Sequence, residues 1–288
     1  MNISFENNIN FKELIQFYSC HYPKSADVCN ENYLHWILDN NPLGKSKVVL
    51  ARYNEQIVGA MFLVMVKDCN NNIGYYACDV LTDREHPKLN IFVKMARFVH
   101  DYICSNRTFL IGHPNKASAP GWKRAKMAFQ PHFLSYITKP KIKQVLSKRI
   151  RITSVAHIES YSTDINNLAS SESFSLVKTD VSYLTWRYLQ HPTKKYEIEL
   201  IFKKNVLVGL LVFSRYKKVV KRLLHALART NFENKVLGSS LLPMIYSSST
   251  YSDQCHRFNV GSPVNYFFTS YTESIGVKGE VTYVACDI

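Results

Sequence analysis

No C-x-x-C pair, no H-E-x-x-H and no G-x-S-x-G occurs anywhere in the 288 residues. The first two absences remove common zinc and redox motifs, and the third removes the nucleophile elbow of serine hydrolases. The seven cysteines are odd in number and sit in apolar surroundings such as Tyr76-Ala-Cys78, which predicts reduced core thiols rather than a disulfide framework. The ten histidines are dispersed without ligand spacing, so no structural metal is expected. No apolar run approaches the roughly 20 residues that cross a bilayer. The opening Met1-Asn-Ile-Ser-Phe5 lacks the basic start and apolar core of a secretory signal. These absences predict a cytoplasmic protein without membrane insertion.

Acid is also scarce. Against 36 Lys and Arg stand 22 Asp and Glu, leaving a net charge of +14 that attracts polyanions: phosphorylated small molecules, nucleic acid or a membrane surface. Lys139-Pro-Lys-Ile-Lys143 and Lys148-Arg-Ile-Arg151 hold six cations and no acid, and read as a solvated linker between domains, with a phosphate-binding strip as the alternative. The length suits two domains, 1–145 and 155–288.

Tryptophan occurs three times, and two of the three lie in register. Asn32-Tyr-Leu-His-Trp36 through Pro42 and Ser182-Tyr-Leu-Thr-Trp186 through Pro192 share Tyr, Leu, Trp and Pro at an offset of 150. The same offset aligns Ile57-Val-Gly59 with Leu207-Val-Gly209. Two ungapped matches predict an internal duplication. Each copy reads as a helix stopped by proline, then a hairpin: Lys47 to Tyr53 and Ile57 to Val66 in the first, Tyr196 to Phe202 and Val206 to Phe213 in the second. Gly59 and Gly209 predict a bulge or a close backbone approach. A further strand (Gly74 to Leu81; Arg222 to Ala228), a helix (Ile91 to Ile103; Ser240 to Tyr246), another strand (Thr108 to Gly112; Arg257 to Gly261) and a closing hairpin complete each copy. The expected fold class is α/β, each copy a mixed sheet flanked by helices.

That order, with a W-x-x-x-x-x-P element ahead of the first hairpin, resembles the GNAT superfamily of acyl-CoA-dependent acyltransferases. The paired Tyr-Leu-x-Trp elements and Gly112-His-Pro-Asn115 look like tandem-GNAT proteins of bacterial surface-polysaccharide pathways, some of which acylate the amine of a nucleotide-linked deoxyamino sugar. The resemblance implies two GNAT-like domains, acetyl- or hydroxyacyl-CoA as co-substrate, and a nucleotide-linked amino sugar as acceptor in O-antigen or capsule biosynthesis. It implies no DNA partner and leaves room for a homo-oligomer.

In such proteins a Gln/Arg-x-x-Gly-x-Gly/Ala loop at a helix N-terminus meets the pyrophosphate of coenzyme A through backbone N–H groups. Lys235, Leu237, Gly238, Ser239 and Ser240 approximate that loop in the second copy, whereas Arg84-Glu-His-Pro-Lys-Leu-Asn90 in the first has no glycine. The second copy is therefore the expected coenzyme A site, and an ordinary loop entering a helix is the plain alternative. Asn115 is a candidate to hydrogen-bond the pantetheine, or simply a turn residue after Pro114. Asp79 is the candidate proton acceptor and Tyr271 the candidate acid for the departing thiolate. Those two can cooperate only if the active site lies between the copies. Two rivals remain: an aminoacyl-tRNA-dependent peptidyl transferase-like enzyme, which the positive charge suits, and a non-catalytic GNAT-like binding protein with both loops decayed.

Overall fold

The computed structural model describes residues 1–68, 71–115, 117–127, 134–138, 148–170, 177–217, 220–229, 232, 244–248, 255–257 and 267–270. In chain order its strands are β1 (Asn2–Glu6), β2 (Lys47–Tyr53), β3 (Gln56–Lys67), β4 (Ile73–Thr82), β5 (Phe109–Gly112), β6 (Leu134–Thr138) and β7 (Lys148–Ile152), followed by β8 (Glu197–Lys203), β9 (Val206–Lys217), β10 (Val220–Ala228), β11 (Met244–Ser248), β12 (Cys255–Arg257) and β13 (Phe267–Ser270). The helices are α1 (Phe11–Ser19), α2 (Glu31–Leu38), α3 (Ile91–Ser105), α4 (Ala119–Arg124), α5 (Val155–Glu159), α6 (Ser162–Ser170) and α7 (Val181–Leu184), the last running into a π turn over Thr185–Leu189.

The strands form two mixed sheets, ordered β1-β2-β3-β4-β5-β13 and β12-β6-β11-β10-β9-β8-β7. Both faces of the first are covered, so its central strand carries an unbroken buried run from Val58 to Val64 instead of alternating. On one face Val48, Leu50, Phe62 and Val64 join a core that continues through α1 and α2 into Ile198, Leu200, Leu210 and Val212 of the second sheet. On the other, Val49, Met61 and Leu63 pack under Met95 and Val99 of α3.

The repeat holds to the residue. β8 and β9 begin and end 150 residues after β2 and β3. The register slips between Ala51 and Arg52 recur between Ile201 and Phe202. Asn54 and Glu55 turn the first hairpin at φ of 48° and 65°, and Lys204 and Asn205 turn the second at 48° and 63°, the left-handed pair that a two-residue hairpin needs. Asn30 caps α2 through Asn32 N–H, and Asp180 caps α7 through Tyr183 N–H. Gly59 is a close approach, since a Cβ there would lie 2.6 Å from Met95 Sδ and 2.9 Å from Ile91 Cγ2.

The copies meet on their tryptophans. Trp36 and Trp186 stack with centroids 5.0 Å apart and planes 20° off parallel. The indole of Trp36 donates to the Trp186 carbonyl at 2.9 Å, and that of Trp186 to the Trp36 carbonyl at 3.0 Å. Each side offers the other the same contact, the signature of a two-fold interface here built within one chain.

Three expectations are corrected. The expected linker is in part a strand, because Lys148 to Arg151 lie on β7, where Arg149 and Arg151 pair with Glu199 at 2.9 Å and Glu197 at 3.0 Å. Met244 to Tyr246, expected as helix, lie on β11, which pairs in parallel with β10. A short apolar run carries no period to tell the two apart. Of the strand expected at 257–261, Arg257 lies on β12, which runs antiparallel to β6, and 258–261 lie outside the described residues. Where closing hairpins were expected, the described strands are exchanged between the sheets: β6 crosses to pair with β11 in the second, and β13 returns to pair with β5 in the first. Sheet membership thus crosses the division at 145/155 twice.

Candidate active site

The site begins as a fault in β4. Opposite Met61 the register shifts between Ala60 and Phe62, so two residues, Asp79 and Val80, occupy the space of one. Asp79 takes the left-handed conformation, φ 48°, which Asp and Asn tolerate better than other side chains. A bulge bends its strand and interrupts the ladder. The parallel pairing of β4 with β5 runs only from Tyr75–Leu110 to Ala77–Gly112, and beyond it the strands part.

Between them lies a cavity of about 290 Å³ lined by Tyr22, Tyr76, Cys78, Asp79, His113 and Asn115 among others. Through Tyr22, Val80, Asn115 and Ser118 it continues into a groove of about 540 Å³, past Arg84, His86 and Arg124 to Asn90 and the start of α3. Asn90 is left-handed and its side chain does not cap the helix, and no acid stands in the first turn. Free N–H groups and the positive end of the helix dipole therefore face a groove with cationic walls.

Asp79 is held from the opposite side. Tyr33 of α2 donates to its Oδ2 at 2.9 Å, and the Tyr18 hydroxyl of α1 donates to its backbone carbonyl. Burial raises its carboxyl from the usual range to about 6, and Asp27 adds to the rise. The Tyr33 hydrogen bond and the cations Lys194 and Arg187 oppose it. A carboxylate that titrates near neutrality suits a proton acceptor. His113 shares the cavity, its Nδ1 lying 2.6 Å from the Tyr76 hydroxyl, and burial holds its imidazole down to about 3, so it is neutral. Asn115 sits at the mouth. Its Oδ1 accepts the Ser118 N–H at 2.8 Å as the chain turns toward α4.

No protein-family model and no curated protein matches the chain. Solved structures do. A probable N-acyltransferase of unknown function from Enterococcus faecalis matches with a TM-score of 0.63 at 13% identity, over 94% of this chain and 72% of that one. A GCN5-related N-acetyltransferase from Kribbella flavida matches with a TM-score of 0.64 at 7% identity, over 93% and 70%. A tandem GNAT protein from the clavulanic acid biosynthesis pathway matches with a TM-score of 0.50 at 8% identity, over 94% and 99%. The fold is GNAT-like. Its α/β architecture, a mixed sheet flanked by helices in each copy, is the one expected.

Of the residues singled out in the sequence, Asp79 and Asn115 come together on one cavity. Lys235, Leu237, Gly238, Ser239, Ser240 and Tyr271 lie outside the described residues. Two features distinguish the copies all the same. The connection 229–243 between β10 and β11 is little more than half as long as 83–108, which carries α3 between β4 and β5. β10 also contains no carboxylate. Tyr18, Tyr33 and His113 were not singled out. Tyr33 opens the repeated Tyr-Leu-x-Trp element, but its counterpart Tyr183 has no Asp79 to meet, so the repeat alone does not disclose the contact. Among the described residues no group of three His, Cys, Asp or Glu is placed to hold a metal, and no helix is long and apolar enough to cross a membrane.

Proposed function

We propose that the protein is an acyl-CoA-dependent N-acyltransferase whose active site is the cleft of the first copy. The observation that carries this reading is the parting of β4 and β5 at a bulged carboxylate, with a groove running on to an uncapped helix N-terminus. The acyl-pantetheine lies along the groove with Asn115 Nδ2 on its amides, and its diphosphate meets the N–H groups at the start of α3, near Arg84 and Arg124.

Asp79 takes a proton from the acceptor amine. The freed lone pair attacks the thioester carbonyl to form a C–N bond, the tetrahedral intermediate gives up the second nitrogen proton to solvent and collapses, and the C–S bond breaks. The departing thiolate recovers a proton, from Asp79 or from an acid such as Tyr271, and leaves as free coenzyme A. The acceptor is the amine of a nucleotide-linked deoxyamino sugar. Support for that choice is the +14 charge, which suits two phosphorylated substrates, and the resemblance of the Tyr-Leu-x-Trp elements to surface-polysaccharide acyltransferases.

Calorimetry with coenzyme A and acetyl-CoA tests the cofactor. A folded protein that binds neither at millimolar concentration is not an acyl-CoA enzyme. Free thiol release with acetyl- or hydroxyacyl-CoA and a panel of deoxyamino-sugar nucleotides tests the acceptor. Modification of a peptide, or transfer from charged tRNA, with no reaction on the panel, rejects the sugar. The loop Lys235-Val-Leu-Gly-Ser-Ser240 is the alternative pyrophosphate site, and Gly238→Val distinguishes it by weakening coenzyme A binding only if that loop is used.

A further inference from the structure

The seam between the copies is symmetric at the tryptophans and asymmetric one residue later. Where the first copy has buried, apolar Ile37, the second has Arg187, the largest of the fully buried side chains. Its guanidinium lies 5.3 Å from the Trp36 ring and 5.7 Å from that of Tyr188, beside the hydroxyl-bearing ring of Tyr183, and no carboxylate among the described residues pairs with it. It sits on the π turn over Thr185–Leu189, a feature absent from α2. A buried cation without a bonded anion is costly, and the first copy fills the same position with an isoleucine. The charge therefore calls for a use.

Tyr33 supplies the connection. Its ring lies 5.5 Å from Trp36, the ring on which Arg187 rests, and its hydroxyl holds Asp79. The groups around Asp79 are Tyr18 and Tyr22 from α1 and the loop after it, Asp27 from the turn before α2, Tyr33, neighbouring Cys78, the Tyr76–His113 pair, and Lys194 and Arg187 from the second copy. Two of these are cations. The Lys194 side chain is 43% exposed and paired with Asp27 at 3.2 Å, so solvent and its partner screen it. Arg187 is screened by neither.

We propose that Arg187 is a positioning residue for the first copy's active site, its buried charge acting on Asp79 across the seam through the Trp36–Tyr33 contact and the Tyr33 hydrogen bond. The first copy would then depend on the second for a charge that its own Ile37 cannot supply. The proposal rests on the reading of Asp79 as proton acceptor for its purpose, though its test does not require that reaction.

The test is NMR titration of protein carrying ¹³C-aspartate and ¹⁵N-arginine. The Arg187 Nε resonance should move with pH at the midpoint of the Asp79 carboxyl, and lose that movement in Asp79→Asn. In Arg187→Met the Asp79 midpoint should rise by about one pH unit, and Arg187→Lys should restore most of it. A purely structural arginine would lower stability and leave the midpoint where it was. An Arg187 resonance in the native protein that ignores the Asp79 titration overturns the proposal even if no arginine variant folds, and so does an unmoved midpoint in folded Arg187→Met. Coupled titrations in a protein that binds no acyl-CoA would instead reject the acyltransferase reading and leave the coupling standing.

Discussion

Replacing Asp79 by asparagine should make the protein more stable at alkaline pH while disabling it. Asparagine keeps the shape, accepts the Tyr33 hydroxyl through its own Oδ1, and tolerates φ of 48° as well as aspartate does. It removes only the charge. Burial raises the Asp79 carboxyl from 3.8 to about 6 in the folded protein. Between those values the native chain keeps a proton that the unfolded chain has released, so native stability falls as pH rises through this window and is level above it. A shift of that size corresponds to about 3 kcal/mol. Contact with the open cavity reduces it to about 1–3 kcal/mol. The Asp79→Asn variant, neutral at this position at every pH, escapes the loss. Urea unfolding of both proteins, followed by tryptophan fluorescence, should show the variant ahead by that amount near pH 8 and level with wild type near pH 4. A variant less stable than wild type at pH 8, or a gap that does not change with pH, would refute a buried, destabilised carboxylate.

Other consequences follow from the same geometry. On the proposed acyl transfer, thiol release by the native protein should rise through an acid limb near pH 6, and Asp79→Asn should lower it roughly 10²–10⁴-fold without changing coenzyme A affinity, measured by calorimetry. Trp36→Phe and Trp186→Phe should each cost about 1–3 kcal/mol, since each leaves a buried carbonyl without its donor. Because the pair is reciprocal, the two costs should be alike, the double variant should cost less than their sum, and either change should abolish an exciton couplet in the far-ultraviolet circular dichroism. Gly59→Leu drives a side chain into Met95 and Ile91, and should cost about 1–3 kcal/mol and weaken coenzyme A binding as α3 shifts. Unchanged affinity in that variant, with loss in Gly238→Val, would transfer the cofactor to the second copy.

The amino-acid sequence by itself determined what depends on neighbours along the chain. The 150-residue repeat, the paired hairpins and α3 from Ile91 could all be read, because turn chemistry and periodicity are local, whereas the left-handed pairs at 54–55 and 204–205 came from the structure. Gly59 was legible as a close approach, though not what approaches it. Asp79 and Asn115 were legible as candidates by chemical type and place in the element order. Only tertiary structure decided the rest. The exchange of β6 and β13 turns on pairings between residues more than a hundred positions apart, whose free energy no local pattern encodes. The first copy's cleft exists because β3 and β4 pair out of step at Asp79, a register set by two strands together. Arg187 reads in the chain as one more surface cation of a basic protein. Its burial against Trp36 follows from a seam that forms only when both copies are folded, and that seam is what brings a charge of the second copy to the carboxylate of the first.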